Sequence, residues 1–440
     1  MIAIPIVAFF VLLLLGVEIA YALISAGIIG LLIFTDTGPT TGFLESTPFR
    51  STTSYVLTTI PMFLLMAGFA EHAGVITRLF ALADQLLLRV RGGLAYAVVG
   101  ASSFMGALSG DSIGTTAAMA RIAVPEMTAR GYSSRLALGA VASAGTIAIM
   151  IPPSIALVLY GILTETPIGA LLLAGIVPGI LTAAAYAATI FIVSKLRKEE
   201  VPQAATRSST WAEKRTALGS TWPFLIIVAV VVGSIYGGLA TATEAAAIGA
   251  LATLVAWIGL SLRTQGTGVE RFGIRQLMDA LNGAARMTVV IMILLIGANL
   301  FGYFLTVTGV TRSFGGFLLG WEVDRLVVLL VILLMYIVLG CFLSQITILV
   351  LTLPIIAPVI VGLDYDMVWF GVIVTKMAEI GLLTPPVGLA AFVAASASGL
   401  PVSQAFRGTV VFLCSEVVVI ALLIAFPDLA LFIPRAAGLM

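Results

Sequence analysis

Charged residues are scarce in this chain, and their scarcity excludes a water-soluble protein. Only 10% of the 440 residues are charged, whereas 60% are hydrophobic and the mean hydropathy is +1.17. A soluble domain of this size needs far more polar surface. Apolar runs of roughly 20 residues, the length that crosses a membrane, recur from end to end. The sequence therefore predicts an all-α polytopic membrane protein without a separate soluble domain.

Histidine and cysteine are nearly absent, and this argues against several kinds of chemistry. His72 is the only histidine, so an HExxH metalloprotease is excluded, and a serine protease would have to use His72 far from a credible nucleophile. Cys341 and Cys414 lie in apolar segments and predict neither a disulfide framework nor a metal site. No GxxxxGK[ST] sequence is present, and a net charge of +1 argues against nucleic acid as a partner. We therefore expect no enzyme and no ATP-driven pump.

The few basic residues are distributed unevenly, which predicts the orientation in the membrane. The most polar loop, Ser194 to Thr216, is rich in Lys and Arg and should be cytoplasmic. Counting spans outward from it places fifteen Lys and Arg residues on the cytoplasmic side and four on the other. We expect a cytoplasmic linker over residues 195–220, which divides the chain into halves at 1–194 and 221–440.

The two halves share an unusual element, a double proline inside an apolar run. IPPSIAL begins at Ile151 and TPPVGLA at Thr384, exactly 233 positions later. Because proline removes a backbone donor and clashes with the preceding turn, each pair predicts a broken helix, over residues 134–164 and 366–399. Arg78 falls inside and its counterpart Arg312 outside in the predicted topology, so the repeats should be inverted.

Inverted repeats with broken helices are typical of secondary transporters. The carbonyl groups freed at a break suit a cation such as Na⁺, and the N–H groups at the start of the next half-helix suit a carboxylate. A channel would not need two such symmetry-related elements.

A glycine- and serine-rich segment precedes each broken helix. GASSFMGALSGDSIGTT, which contains Asp111, predicts the tip of a re-entrant hairpin over residues 92–130. VLGCFLSQIT predicts a second hairpin, over residues 326–362, that enters from the opposite side.

These segments resemble a known family. GALSGDSIGTTAAMARIAVPEM, the IPPSIAL region, TATEAAAIGA and MAEIGLLTPPVGLAAFV are similar to motifs of the large (DctM-type) membrane subunit of tripartite ATP-independent periplasmic (TRAP) transporters. The resemblance implies an elevator-type carrier in the bacterial inner membrane, surrounded by lipid and driven by sodium. It also implies a small four-helix membrane subunit, a periplasmic substrate-binding protein and a small organic acid as cargo. The alternative is a stand-alone ion-coupled organic-anion carrier that needs no binding protein.

The resemblance also implies site residues. The first sodium site would comprise Gly106, Ser109, Ala148, Ile151 and Pro152, and the second Gly340, Gly381, Thr384 and Val387. Gly106 stands where the family often has serine, and Ala148 where it often has glycine. Asp111 stands where a small polar residue is usual and is expected either to tune substrate choice or to add charge near the cation. Ser154, at the start of a half-helix, and Ser112, at the hairpin tip, should also contact the substrate.

Other polar residues have structural interpretations. Thr241 and Glu244 have the spacing of a capping box. Lys376 and Glu379, three residues apart on one helix, are expected to pair with each other. Arg121 and Arg286 are expected to be interfacial or to extend toward the membrane surface.

Overall fold

The protein is almost entirely helical in the computed structural model, which describes residues 1–203, 210–263, 270–320 and 323–440. The described part of the first half forms eleven helices: α1 (Ala3–Leu14), α2 (Ile19–Phe34), α3 (Thr37–Thr52), α4 (Thr59–His72), α5 (Val75–Leu87), α6 (Gly93–Ser109), α7 (Ser112–Ala129), α8 (Ser134–Ile147), α9 (Ile155–Thr164), α10 (Ile168–Ala174) and α11 (Ile176–Leu196). A short 3₁₀ turn, Tyr55–Thr58, precedes α4.

The described part of the second half forms ten more: α12 (Trp211–Tyr236), α13 (Ala242–Arg263), α14 (Ile274–Val307), α15 (Val310–Leu319), α16 (Arg325–Gly340), α17 (Gln345–Gly362), α18 (Met367–Leu383), α19 (Leu389–Ser398), α20 (Val402–Ala425) and α21 (Asp428–Ala436). Because α12 begins at Trp211, the C-terminal part of the predicted linker 195–220 is helical. Residues 204–209 of that linker lie outside the described residues, and its cytoplasmic placement stays a prediction.

Long apolar helices make this a polytopic membrane protein. Within the described ranges, six helices are long and apolar enough to cross a membrane. Helix α12 adds a seventh span if its two parts, which are bent by 50°, cross together. The six shorter apolar helices, of 10–17 residues, include parts of the hairpins and broken helices.

The repeat seen in the sequence is also present in the helix boundaries. Helices α7 and α17 begin 233 positions apart and also end 233 positions apart, and α8 and α18 begin with the same offset. Helices α6 and α7 form hairpin 1, and α8 and α9 form broken helix 1. Helices α16 and α17 form hairpin 2, and α18 and α19 form broken helix 2. All four elements fall within one residue of the ranges expected from the sequence.

Side-chain caps explain where these helices begin. Asp111 accepts hydrogen bonds from the N–H groups of Ile113 and Gly114 at the start of α7, and Ser154 caps α9 through the N–H of Leu157. Such caps satisfy amide groups that have no partner within the helix. Ser344, which is 233 positions after Asp111, caps α17 in the same way.

The helices pack as two bundles. We call α1–α5 and α12–α15 the support bundle, with α14 against α2 and α13 against α4. The hairpin bundle contains α6–α11 and α16–α21. Across the boundary between the two bundles, α5 packs closely against α6 and α15 against α17. Within the hairpin bundle the two halves interlock, since α7 packs against α19 and α17 packs against α9. The two repeats therefore form one packed unit.

An ion pair fastens the base of hairpin 1 to the support bundle. Both terminal nitrogens of Arg130 donate to the carboxylate of Asp84 on α5, each at 2.9 Å. Arg130 also donates to Glu126. The hydrogen bonds with Asp84 raise the pKa of the Arg130 guanidinium. This bidentate geometry is stronger and more directional than a single ionic contact.

Candidate functional site

The end of α6 lies directly against the break in broken helix 1. A Cβ atom on Gly106 would be 2.2 Å from the Cα of Ala148 and 2.5 Å from its carbonyl oxygen. Only a residue without a side chain allows this approach. Backbone groups of the hairpin and of the break therefore converge at the first predicted sodium site.

The remaining residues of the first predicted site lie around this contact. Ser109 is buried, and its hydroxyl is 3.0 Å from that of Thr115. Pro152 is buried and Ile151 is half-buried. Gly110, with φ +59°, places the hairpin tip so closely that a Cβ there would lie 2.7 Å from the carbonyl oxygen of Pro153. The structure thus brings hairpin 1 and the proline pair together.

The second predicted site repeats the arrangement. A Cβ on Gly340 would lie 2.8 Å from the Cα of Gly381, and a Cβ on Gly381 would lie 2.5 Å from the Cα of Gly340. The Thr384 hydroxyl donates to the carbonyl of Ile380 at 2.7 Å. Val387, at 40% exposed, is the most open of the predicted ligands in this site.

The donor chemistry at both positions fits a hard monovalent cation. Main-chain carbonyls and hydroxyls are oxygen ligands, and the close glycine contacts bring the backbone of each hairpin against a break. The Thr384 hydroxyl donates its proton to the carbonyl of Ile380, so the lone pairs of its oxygen stay available to a cation. In the first half the equivalent position is Ile151, which has no hydroxyl.

The three predicted substrate residues lie in different surroundings. Ser154 is fully buried, and its hydroxyl accepts from Leu157. Ser112 is 2% exposed and donates to Oε1 of Glu379 at 3.0 Å. Asp111 alone among the three lines an open cavity. The substrate roles of Asp111, Ser112 and Ser154 stay predictions.

That cavity, of about 300 Å³, lies between the two bundles. Hairpin 1 forms one wall, and α4 and α14 form the other. Asp111 and Arg121 face it from hairpin 1, while Glu71 and Asp279 face it from the support bundle. The nearest guanidinium nitrogen of Arg121 is 3.8 Å from Oε1 of Glu71. A space of this volume accommodates a small organic molecule.

The expected pairing of Lys376 with Glu379 is wrong. The ammonium of Lys376 lies 2.8 Å from Oε1 and 2.7 Å from Oε2 of Glu416 on α20. Glu379 instead accepts from Ser112. Both carboxylates are 1% exposed and Lys376 is fully buried. In a packed interior, a carboxylate on a neighbouring helix competes successfully with one on the same helix.

The ion pair is part of a larger buried network. Tyr186 on α11 donates a hydrogen bond to Oε1 of Glu416, and its hydroxyl lies 3.2 Å from that of Thr146 on α8. The network therefore joins four helices of the hairpin bundle. Hydrogen-bonded partners of this kind are what makes burial of charge tolerable.

Thr241 and Glu244, at the start of α13, and His72, the last residue of α4, have defined polar contacts. The capping box is confirmed, since Thr241 N–H donates to Glu244 and Glu244 N–H donates to the Thr241 hydroxyl. His72 Nδ1 lies 2.7 Å from Oε2 of Glu270, and its ring stacks on Trp257.

Sequence reasoning did not assign Arg121 to a site. It was expected to be interfacial or to extend toward the membrane surface; the structure places it on the same cavity wall as Asp111. Asp111, Gly114, Ala118 and Arg121 all line the cavity, and their spacing follows one face of a helix. That spacing is the sequence pattern from which Arg121 could have been assigned to the cavity. Glu71 and Asp279 gave none, because their approach to hairpin 1 depends on how the bundles pack.

Comparison with known proteins gives a consistent result. The sequence profile described as "Tripartite ATP-independent periplasmic transporter, DctM component" matches residues 6–429. The C4-dicarboxylate TRAP transporter large permease protein DctM of Pseudomonas aeruginosa is 33% identical over 393 residues, which cover 89% of each chain. The ectoine/5-hydroxyectoine TRAP transporter large permease protein UehC of Ruegeria pomeroyi is 31% identical and covers 96% of each chain.

A solved structure supports the fold. The YdaH transporter of Alcanivorax borkumensis, described as having an unusual topology, superposes with a TM-score of 0.62 over 90% of each chain. Its sequence identity is 13%, so this likeness concerns the fold alone.

Proposed function

Because this chain belongs to the DctM component family of the tripartite ATP-independent periplasmic transporters, we propose that it carries out sodium-coupled uptake of a small organic acid. A periplasmic binding protein delivers the acid, and a small four-helix membrane subunit completes the system in the bacterial inner membrane. The relatives are named for different cargoes, a C4-dicarboxylate and ectoine among them. Family membership therefore leaves the cargo open.

The observation that carries the proposal is the repeated contact between a hairpin glycine and a broken helix. Gly106 meets Ala148 in one half, and Gly340 meets Gly381 in the other. Each contact brings unwound backbone next to a hairpin tip, where carbonyl oxygens can replace the hydration shell of Na⁺.

The cavity between the bundles supports the transport part of the proposal. It reaches the tip of hairpin 1 from the side of Glu71, His72 and Asp279. In the predicted orientation this is the cytoplasmic side. An elevator movement of the hairpin bundle against the support bundle would expose the site to the other side.

The test is uptake into proteoliposomes that contain this chain and its small membrane subunit. A radiolabelled organic acid should accumulate when an inward sodium gradient and the binding protein are both present. Replacement of sodium by potassium should abolish accumulation. Full uptake without the binding protein would favour the stand-alone carrier. Uptake at the same rate with and without the sodium gradient would contradict sodium coupling.

A further inference from the structure

The cavity beside hairpin 1 has an uneven charge. Among its described lining residues, three are carboxylates, Glu71, Asp111 and Asp279, and one is a guanidinium, Arg121. His72 also lines it, but the Nδ1 of its ring is directed at Glu270. Negative groups therefore predominate around a space assigned to an organic acid.

The single guanidinium is available to a ligand. The Arg121 side chain is 57% exposed, and its contact with Glu71 is 3.8 Å long, which exceeds a hydrogen bond. An exposed ion pair of this length contributes little stability. A ligand carboxylate can therefore replace Glu71 as the partner of Arg121 and gain bidentate geometry.

The remaining carboxylates oppose a second negative group. Asp111 lies at the tip of hairpin 1, and Asp279 lies on α14 across the cavity. A dicarboxylate held by Arg121 would bring its other carboxylate toward these residues, where like charges repel. A cationic nitrogen at the same place would be attracted.

We propose that this cavity selects zwitterionic organic acids, which carry a carboxylate and a cationic nitrogen, over dicarboxylates. Arg121 holds the carboxylate, and Asp111 with Asp279 faces the cationic group. The inference rests on the proposed function, because it takes the cavity as the place where the transported acid binds.

The arrangement along α7 suits a compact ligand. Asp111 and Arg121 are ten positions apart, which corresponds to about 15 Å along a helix. Helical side chains point toward the N-terminus of their helix, so the Arg121 side chain extends toward Asp111 and shortens this distance. Gly114 and Ala118 lie between them on the same face and leave room for the ligand.

Binding to the full chain in sodium-containing detergent solution tests the charge class directly. The probes are γ-aminobutyrate, succinate and butyrate, which have the same four-carbon length and differ at one end. Isothermal titration should show γ-aminobutyrate binding about tenfold more tightly than succinate, with butyrate between them. Tighter binding of succinate would overturn the inference and leave the proposed carrier of organic acids intact.

Substitutions assign the preference to particular residues. Asp111→Asn should reduce the ratio of γ-aminobutyrate affinity to succinate affinity by about tenfold, because it removes one negative charge while the remaining side-chain oxygen can still cap α7. Asp364→Asn makes the same charge change at an exposed position outside the cavity and should leave the ratio unaltered. Arg121→Gln should weaken the binding of all three acids.

Two further results would count against the inference. If Asp111→Asn leaves the ratio unchanged but raises the sodium concentration needed for binding, Asp111 serves the cation site instead. If none of the three acids binds, both the inference and the assignment of an organic acid to this cavity fail. Sodium-driven uptake in proteoliposomes would still test the proposed transport separately.

Discussion

Ser112 of hairpin 1 donates a hydrogen bond of 3.0 Å to Oε1 of Glu379 in broken helix 2. The two residues come from opposite halves of the chain, and both are buried. In the described part of the protein, Oε2 of Glu379 has no hydrogen-bond partner. Because a buried carboxylate with few donors is costly, the Ser112 hydroxyl is important for keeping Glu379 inside the hairpin bundle.

Ser112→Ala should therefore lower the stability of the protein. Loss of the donor leaves a buried acceptor unsatisfied and should reduce the free energy of unfolding by about 1–3 kcal/mol. Chemical unfolding in detergent measures the change. Ser103→Ala is the matched control, since that hydroxyl bonds only to Val99 of its own helix, and it should change stability by less than about 0.5 kcal/mol. Equal losses in the two variants would contradict the role of the Glu379 bond.

Thr384→Val should weaken sodium binding. The substitution keeps the shape of the side chain but removes the hydroxyl that can accept a cation. We expect the half-saturating sodium concentration for uptake to rise by roughly tenfold, the equivalent of about 1.4 kcal/mol. Thr253→Val is the control, because Thr253 is buried on α13 and also bonds to the carbonyl four residues earlier. An unchanged sodium dependence in Thr384→Val would count against the second site.

Gly106→Ala should disrupt the contact between hairpin 1 and broken helix 1. The added methyl would lie 2.2 Å from the Cα of Ala148, and such overpacking costs about 1–3 kcal/mol. Gly100→Ala tests the same change on the same helix, where nothing lies within 4 Å; it should stabilise α6 by up to about 1 kcal/mol. Thermal unfolding of the two variants measures the difference in stability. A Gly106→Ala protein as stable as the unmodified protein, with normal sodium dependence, would refute the close approach of Gly106 to Ala148.

Removing both members of the buried ion pair should destabilise the protein by less than the sum of the two separate removals. Lys376→Met and Glu416→Gln should each cost about 3–5 kcal/mol, because either change leaves an uncompensated buried group. The double variant should lose less than the sum of the two. Asp428→Asn provides the exposed comparison, as its pairing with Arg435 is worth at most about 1 kcal/mol. Strictly additive losses would show that Lys376 and Glu416 do not act as a pair.

Alternating exposure can be followed at Ala117, which is half-buried and lines the cavity. In a background with Cys341→Ala and Cys414→Ser, Ala117→Cys should react with a membrane-impermeant thiol reagent from one side at a time. Sodium, substrate and binding protein together should change the two labelling rates in opposite directions. Equal labelling from both sides under every condition, in transport-competent protein, would indicate a fixed pore.

Local sequence patterns were sufficient for the repeated elements. The proline pairs and the small residues before them placed the hairpins and the breaks, because backbone restrictions act within a few residues. The partner of Lys376 could not be obtained this way. Its choice between Glu379, three residues away, and Glu416, forty residues away, depends on the packing of α18 against α20.

Local sequence patterns were likewise insufficient to predict the cavity. The α7 face that contains Asp111 and Arg121 is readable as a helical stripe, but its apposition to Glu71 and Asp279 is a property of the assembled bundles. The proposed charge preference of the cavity therefore depends on contacts that exist only in the folded protein. Glycine at position 106 is explained in the same way, since its requirement comes from Ala148 on another helix.

The interlocking of the two halves has a consequence for biosynthesis. Helix α7 ends at Ala129, and its packing partner α19 begins only at Leu389, about 260 residues later. At a synthesis rate of ~5–20 residues per second, the ribosome needs roughly 13–50 s to supply that partner. During this interval the first hairpin resides in the bilayer with its partner surface uncovered. Assembly of the hairpin bundle is thus completed only after translation has nearly finished, and a nascent chain truncated before α19 presents an unfinished membrane protein to the quality-control proteases.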